Sequence, residues 1–347
     1  MAVPKKTFDV FRKIASTCER ETMIPRGAVV VAGVSGGVDS MFMLAFLDAY
    51  REKYGFSLLA CHLNHMIRGA DADLDERLVG TYCQEQSIPF IPVRVDVPAI
   101  AKTRGISLEE AGRLARRDTM TRLAGERAGA TRGYRVAFAH HMDDRAESIL
   151  MHIGRGSGLA GLIGIRYVDG VFIRPLLDVR LAEIESAAEA LRLPWREDAT
   201  NRSDTFLRNR VRHHLLPVWQ EVLGYDPAPV LARLGDAAGS DEDALAEWAA
   251  SSLGDVILPD RTLSVSALAD RPKAIIMRVL ALHYAAMAGE THDSPHSLGA
   301  VHLEDIYTCV LRCAGGEAHA LSCSLPGGVK ADFKDGRLSL VFPEAGA

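Results

Sequence analysis

Along the first two thirds of the chain, short apolar runs alternate with longer stretches of helical spacing. AVVVAGV (28–34) is a continuous apolar run of strand length, and a helical pattern begins near Asp39. The order then repeats. SLLACHLN (57–64), PFIPVRVD (89–96) and YRVAFAH (134–140) have strand character; the segments 71–87 and 107–129 have helical character. Ser107 is placed to cap the longer helix, with Glu110 in the capping-box position. VFIRPLLDV (171–179) is a further strand candidate ending in a proline-marked turn, followed by a helix over about 180–191. Phe8, Phe11, Ile14 and Ala15 recur at helical spacing and predict an amphipathic helix near the start. Strands alternating with helices predict an α/β fold with a doubly wound, mainly parallel sheet. Turn residues cluster in GYDPAPV (224–230), and the rest is mostly helical before short strands at the end. The pattern therefore predicts one domain over 1–220 and a mostly helical C-terminal domain over 221–347.

Ligands of such sheets bind outside the carboxyl ends of the strands. Three polar clusters fall there: SGGVDS (35–40), HLNHMIR (62–68) and HHMDDRAE (140–147). In the first, Gly36 and Gly37 let the backbone approach a ligand, Ser35 and Ser40 add hydroxyls, and the following helix offers free N–H groups. Val38 and Asp39 complete the turn. Asp39 would repel a bare phosphate, so its presence points to Mg²⁺ held between carboxylate and phosphates. The turn has no lysine, which argues against γ-phosphoryl transfer. A diglycine turn alone is weak evidence; the whole hexapeptide between strand and helix is much stronger. His62, His65, His140 and His141 would suit zinc, but no cysteine stands at ligand spacing, and a substrate-edge role fits better. Asp144 and Glu147 lie three apart on one helix face, either as partners of the helix dipole or as a site for a cationic substrate or metal. The glycine-rich GRGSGLAGLIG (154–164) follows directly and reads as a mobile active-site loop. NRSDTFLRNRVRHH (201–214) sets Arg202, Arg208, Arg210 and Arg212 against Asp204, either a solvated helix face or a phosphate-binding surface.

Composition narrows the class. The chain has 347 residues, 48% hydrophobic and 24% charged, and a formal net charge of −5. A nucleic-acid partner would have to be met by a local basic surface. No apolar run reaches the length of a membrane span, and the first residues lack the apolar core of a secretory signal, so a cytoplasmic location without a membrane partner is expected. The six cysteines form no CxxC pair or disulfide framework; Cys309 and Cys313 share a helix face and read as buried apolar groups.

SGGVDS resembles the signature of the PP-loop, or N-type, ATP pyrophosphatases, whose fold is adenine nucleotide alpha-hydrolase-like. These enzymes cleave ATP between the α and β phosphates, so the resemblance implies a loop that holds leaving pyrophosphate. The ordered motifs SGGVDS, HLNHMIR, EEAGRLAR, HHMDDRAES, GRGSGLAGLIGI, RPLLDVR, WREDATN and FLRNRVRHHLLP resemble those of the tRNA(Ile)-lysidine synthetase family over about residues 25–218. That resemblance implies activation of C2 of the wobble cytidine of a CAU-anticodon isoleucine tRNA by ATP. The ε-amine of L-lysine then displaces AMP. It implies ATP binding by Ser35, Gly36, Gly37, Val38, Asp39 and Ser40, with Mg²⁺ at Asp39. It places the chemistry at Asp39, Arg113, Asp144 and Glu147, with lysine on Asp144 and Glu147. It puts tRNA contacts at Arg202, Arg208, Asn209, Arg210 and Arg212, and it is compatible with a homodimer. The chain departs from the family at Gly112, Arg117, Arg145 and Ser148, where alanine, tyrosine, glutamine and threonine are usual. The alternative is another PP-loop tRNA-modifying enzyme such as a thiolase, many of which use cysteine pairs that this chain lacks.

Overall fold

The amphipathic stretch near the start forms α1 (Lys5–Arg20), which buries Phe11, Ile14 and Ala15 while Phe8 stays exposed. Then come β1 (Val29–Gly33), α2 (Val38–Tyr54), β2 (Ser57–Asn64), α3 (Ala70–Glu85), β3 (Phe90–Arg94), α4 (Val97–Arg104), α5 (Leu108–Ala128), β4 (Tyr134–Ala137) and α6 (Met142–Gly154). The short α7 (Leu159–Leu162), β5 (Val168–Asp169) and β6 (Phe172–Ile173) lead to α8 (Leu181–Leu191). After α9 (Leu207–Arg210) the helical path passes through a π-helical turn (Val211–Leu215) into α10 (Leu216–Leu223) and α11 (Ala228–Val256). This computed structural model describes residues 4–67, 69–129, 133–197, 204, 206–291 and 298–343. Its contacts divide the chain into two units, Met1–Ala238 and Gly239–Ala347.

In the first unit a six-stranded sheet has the order β3-β2-β1-β4-β6-β5. Every pairing is parallel except β5 with β6, which is the doubly wound, mainly parallel sheet that the alternation predicts. β1 sits centrally with β2 on one side and β4 on the other. The strand order therefore reverses at β1, and a crevice opens at its carboxyl end. α2 is buried from Ser40 to Leu47 and, with α1 and α8, covers one sheet face. α5 covers the other through Met120, Leu123 and Ala124.

Two local expectations change. The 171–179 run keeps only Phe172–Ile173 as strand. Pro175 has no N–H to donate, and the chain turns there, with Leu177 N donating to the Arg174 carbonyl. The apolar residues beyond it, Leu176, Leu177 and Val179, are buried outside the sheet. At the start of α5, Ser107 Oγ accepts the Glu110 amide at 3.1 Å, as a cap should. The Glu110 carboxylate turns instead to Arg113, 2.8 Å away.

Asp178 ties α1 to the segment after β6. It accepts hydrogen bonds from Thr17 (2.7 Å), Arg20 (2.9 Å) and the Tyr167 hydroxyl (2.6 Å). Burial opposes its ionisation, but these donors outweigh burial and hold its carboxyl below the usual range. The folded-state value is depressed, so the stabilisation is present above the unfolded value of about 3.9 and is lost as pH falls through the folded value. Asp178→Asn is expected to cost about 1–3 kcal/mol at neutral pH. Thermal melts of both proteins from pH 7 to 3 should converge at the acid end; a constant gap would place the effect elsewhere.

The second unit contains the remainder of α11, β7 (Leu263–Ser264), α12 (Val265–Ala269), α13 (Lys273–Thr291), α14 (Ala300–Ala314), β8 (Ala320–Ser324), β9 (Lys330–Lys334) and β10 (Arg337–Val341). Its antiparallel sheet runs β7-β10-β9-β8. Ile275, Val279, Ile306, Val310, Phe333 and Leu338 lie in its core. The Cys323 thiol donates to Cys309 Sγ at 3.6 Å with no disulfide between them, and Cys309 and Cys313 are half-buried rather than buried as their spacing suggested. Among the described residues no helix is long and apolar enough to cross a membrane.

Candidate active site

The turn after β1 is organised by one hydroxyl. Ser40 Oγ accepts the Ser35 and Gly36 amides at 3.0 and 3.2 Å and donates to the Gly37 carbonyl at 3.0 Å. Gly37 precedes α2 in extended conformation with no side-chain cap, so the first turn of the helix faces the crevice uncapped. Gly36 has φ +95°, which a residue with a Cβ adopts only under strain. Its carbonyl accepts the Arg196 amide at 3.0 Å and so anchors the segment after α8 to the turn. Gly36→Ala is expected to weaken nucleotide binding at least tenfold, about 1.4 kcal/mol or more, checked by titration calorimetry. Unchanged affinity would show that the turn tolerates another conformation.

Asp39 lies in the first turn of α2. Its Oδ1 is buried and has no hydrogen-bond partner; Oδ2 lies 3.8 Å from His141 Nε2. Burial pushes its carboxyl up to about 6, although His141 pulls it back. An orphaned buried carboxylate oxygen beside a phosphate-shaped turn suits a hard cation. Among the described residues no group of three or more His, Cys, Asp or Glu side chains converges as a metal cage.

α6 starts beside this turn. The His141 amide donates to Asp144 Oδ2 at 3.0 Å, and Arg180 donates to Asp143 at 2.6 Å. The adjacent histidines are driven apart. Burial lowers His140 to about 4, whereas at His141 the carboxylates of Asp144, Asp143 and Asp39 overcome burial and raise it to about 9. At neutral pH His140 is therefore neutral and His141 charged. Asp144 and Glu147 do share a face, and two arginines close over it. Arg208 Nε donates to Glu147 at 2.7 Å and its Nη2 to Asp144 at 3.0 Å. Arg212 Nε donates to Glu147 at 2.5 Å and its Nη2 to Asp144 at 3.1 Å. Burial opposes ionisation of Asp144, but His141 and the arginines hold it well below the usual range.

Three cavities meet around this cluster. One, of about 460 Å³, is lined by Ser35, Asp39, Ser40, His62, Asn64, His65 and Arg116. A second, of about 430 Å³, is lined by Arg113, Arg116, Arg117, Arg166, Arg174 and Arg208 with the single acidic residue Asp169. Phe138, His140 and Arg116 border both. The third, of about 660 Å³, touches Ser35, Gly37, Val38, Asp39 and Arg212, and Asp75, Glu185, Glu189 and Glu197 make it largely acidic.

The structure thus brings residues 35–40, Asp144, Glu147, Arg208 and Arg212 together. Arg113 is exposed at the rim of the second cavity and paired with Glu110. Arg210 is exposed, and Asn209 lies between the two on α9. Arg68 and Arg202 lie outside the described residues. Sequence reasoning passed over Arg116, Phe138, Arg166 and Arg174, although Arg116 stands one helical turn beyond Arg113.

The departures at 112, 117 and 145 have local explanations. Gly112 leaves room for the His65 ring, whose Cε1 would lie 3.3 Å from an added Cβ. Arg117 stacks its guanidinium 3.7 Å over the Phe172 ring, which is itself stacked on Phe138, and pairs with Asp169. Arg145 is buried; it holds the Ile163 carbonyl of the glycine-rich segment at 3.1 Å and Asp236 of α11 at 2.7 Å.

A reversing parallel sheet with a serine–glycine turn, an acidic helix start and confluent cavities at one edge defines a nucleotide-binding protein of the PP-loop class. The PP-loop domain family model matches residues 9–219. The tRNA(Ile)-lysidine synthase of Geobacillus kaustophilus is 32% identical over 329 residues, covering 92% of this chain and 68% of the relative. That of Caldanaerobacter subterraneus subsp. tengcongensis is 33% identical over 313 residues, covering 88% and 64%. The chain belongs to the tRNA(Ile)-lysidine synthase family. It spans about half to two thirds of the length of the curated relatives it matches first. Among solved structures, a U34-tRNA thiolase from Methanococcus maripaludis shares the fold with a TM-score of 0.56 and 20% identity over 67% of this chain and 78% of that one.

Proposed function

We propose that this chain ligates L-lysine to C2 of the wobble cytidine of a CAU-anticodon isoleucine tRNA, using ATP and releasing pyrophosphate and AMP. The observation that carries this reading is the meeting of the Asp39 turn, the Asp144–Glu147 pair and an arginine-lined cavity at one strand edge. The cavity beside the turn takes ATP. Ser35–Ser40 and the start of α2 cradle the β and γ phosphates, leaving the α phosphorus toward the Phe138–His140–Arg116 border. Asp39, with its orphaned oxygen, would hold Mg²⁺. Bound Mg²⁺ supplies charge neutralisation on the phosphates. The arginine-lined cavity takes the cytidine and its flanking phosphates.

In the first step the C2 carbonyl oxygen of cytidine bonds to the α phosphorus and the bond to pyrophosphate breaks. In the second, the lysine ε-amine, freed of a proton, bonds to C2, and AMP departs with the oxygen. Asp144 and Glu147 supply the carboxylates that an incoming ammonium requires. Arg113 and Arg116 stand at the cavity that receives the activated base and offset the negative charge on the phosphoryl group transferred to it. Incubating the protein with ATP, lysine and the tRNA, followed by mass spectrometry of the wobble nucleoside, should show cytidine plus lysine minus water. An unmodified nucleoside in the presence of bound ATP and tRNA, or modification only with a sulfur donor, would overturn the assignment.

A further inference from the structure

The carboxylates that the amine needs are occupied. Glu147 is fully enclosed and Asp144 nearly so, at 0% and 13% side-chain exposure, while Arg208 and Arg212 above them keep 34% and 28%. The two arginines lie against the carboxylates, and each also faces a cavity. Arg208 lines the arginine-rich cavity; Arg212 lines the cavity that contains Ser35, Gly37 and Asp39 of the phosphate turn, where it and Arg196 are the arginines beside the carboxylates of Asp39, Asp75, Glu185, Glu189 and Glu197, so a phosphate entering there needs them as partners. Both lie on one short helical stretch, Arg208 on α9 and Arg212 within the π-helical turn that follows. Such turns interrupt the regular helical ladder and recur at functional sites.

We propose that Arg208 and Arg212 are exchange residues. Each leaves the Asp144–Glu147 pair for an anion arriving in the cavity it already lines, Arg212 for a nucleotide phosphate and Arg208 for an RNA phosphate. The acidic pair then accepts the substrate ammonium only when both anions are in place. This rests on the reading that the amine meets Asp144 and Glu147.

The physical reason is charge balance. A buried guanidinium taken from its carboxylate, or a buried carboxylate stripped of its cation, is strongly unfavourable alone. Phosphate is an equivalent bidentate partner for arginine, and an ammonium is an equivalent cation for the carboxylates. Exchanging all partners together pairs both guanidiniums with phosphates and sets the incoming ammonium and the charged His141, 3.5 Å from Asp144, against the two carboxylates, whereas admitting lysine alone would strand two guanidiniums. The arrangement therefore enforces an order in which lysine enters last, after the cytidine and the nucleotide that must react first.

Two readouts test the proposal in the intact protein. Lysine affinity, measured by calorimetry, should rise at least tenfold when α,β-methylene-ATP with Mg²⁺ and an anticodon stem-loop RNA are both bound; equal affinity with and without them would overturn it. In Arg212→Gln the part of the gain due to nucleotide should vanish, and full retention would also overturn it. Should that variant fail to fold, Arg212→Lys keeps the charge but loses the fork, and its gain should fall below that of wild type. The second readout does not use lysine. In ¹⁵N-arginine-labelled wild-type protein, the Nε–H signals of Arg208 and Arg212, both donors to Glu147, should shift as the RNA and the nucleotide bind respectively. Signals that stay fixed with both ligands bound would sink the exchange. Signals that move while lysine never binds would preserve the exchange and remove lysine as the amine.

Discussion

Asp39→Asn is expected to lower tRNA-dependent pyrophosphate release by about 10³-fold, the scale on which a single electrostatic group acts in an enclosed site. The substitution is nearly isosteric, so α2 and the Ser40-organised turn should persist. What changes is a carboxylate whose Oδ1 is buried without a hydrogen-bond partner. An amide there cannot offset the charge of a cation bound to phosphates. Nearby Asp144 does not substitute, because His141 engages it and, once the arginines have moved to their anions, it meets the substrate ammonium. Pyrophosphate measured by a coupled assay at saturating ATP and tRNA checks this, with circular dichroism to confirm folding. Near-normal release would remove Asp39 from the metal and phosphate site.

Glu147→Gln is expected to destabilise the fold by about 3–5 kcal/mol, the cost of removing one partner from a buried ion cluster. Glu147 is fully buried and receives Arg208 Nε at 2.7 Å and Arg212 Nε at 2.5 Å. A neutral amide leaves two guanidiniums facing Asp144 alone, and it must also turn an NH₂ group toward donors. Lysine turnover should fall more than ATP affinity, because the ATP-facing residues of the turn are untouched. Thermal melting gives the first effect, and lysine-dependent AMP release beside ATP titration gives the second. Glu147→Asp, which keeps the charge on a shorter arm, should recover part of the stability. Wild-type melting and lysine kinetics in Glu147→Gln would make the pair dispensable to both.

The elements that carry the nucleotide turn were legible because they are self-contained. β1 is buried on both faces and reads as an unbroken apolar run, and the glycines between it and α2 punctuate the pattern. The run at 171–179 misled because burial alone makes a segment apolar, while ladder pairing needs the N–H that Pro175 lacks. The acidic face of α6 follows from a spacing of three, but its partners do not. Arg208 and Arg212 are 61 to 68 residues from the carboxylates they hold, and periodicity carries no information over that distance. The arginine run therefore read as either a solvated helix face or a phosphate-binding surface, with no sign that two of its members turn inward while Arg210 stays exposed. His140 and His141 are adjacent in sequence, yet their opposite titration depends on which one faces Asp39, Asp143 and Asp144. That is a property of the folded edge alone.

The arginine-lined cavity has a kinetic consequence. The chain carries a formal charge of −5, so at long range it repels a polyanion. Six arginines line this mouth, and set against Asp169 and the paired carboxylates Glu110, Asp144 and Glu147 they still leave it positive. Low-dielectric walls focus such a field, and the potential decays over about 8 Å at physiological ionic strength. For the RNA of the proposed function, encounter would thus be discouraged over the surface at large and rewarded at one aperture, selecting orientation during the approach itself. Added salt relaxes both effects together, so the rate of productive capture falls less steeply with ionic strength than the local charge of the mouth alone would dictate.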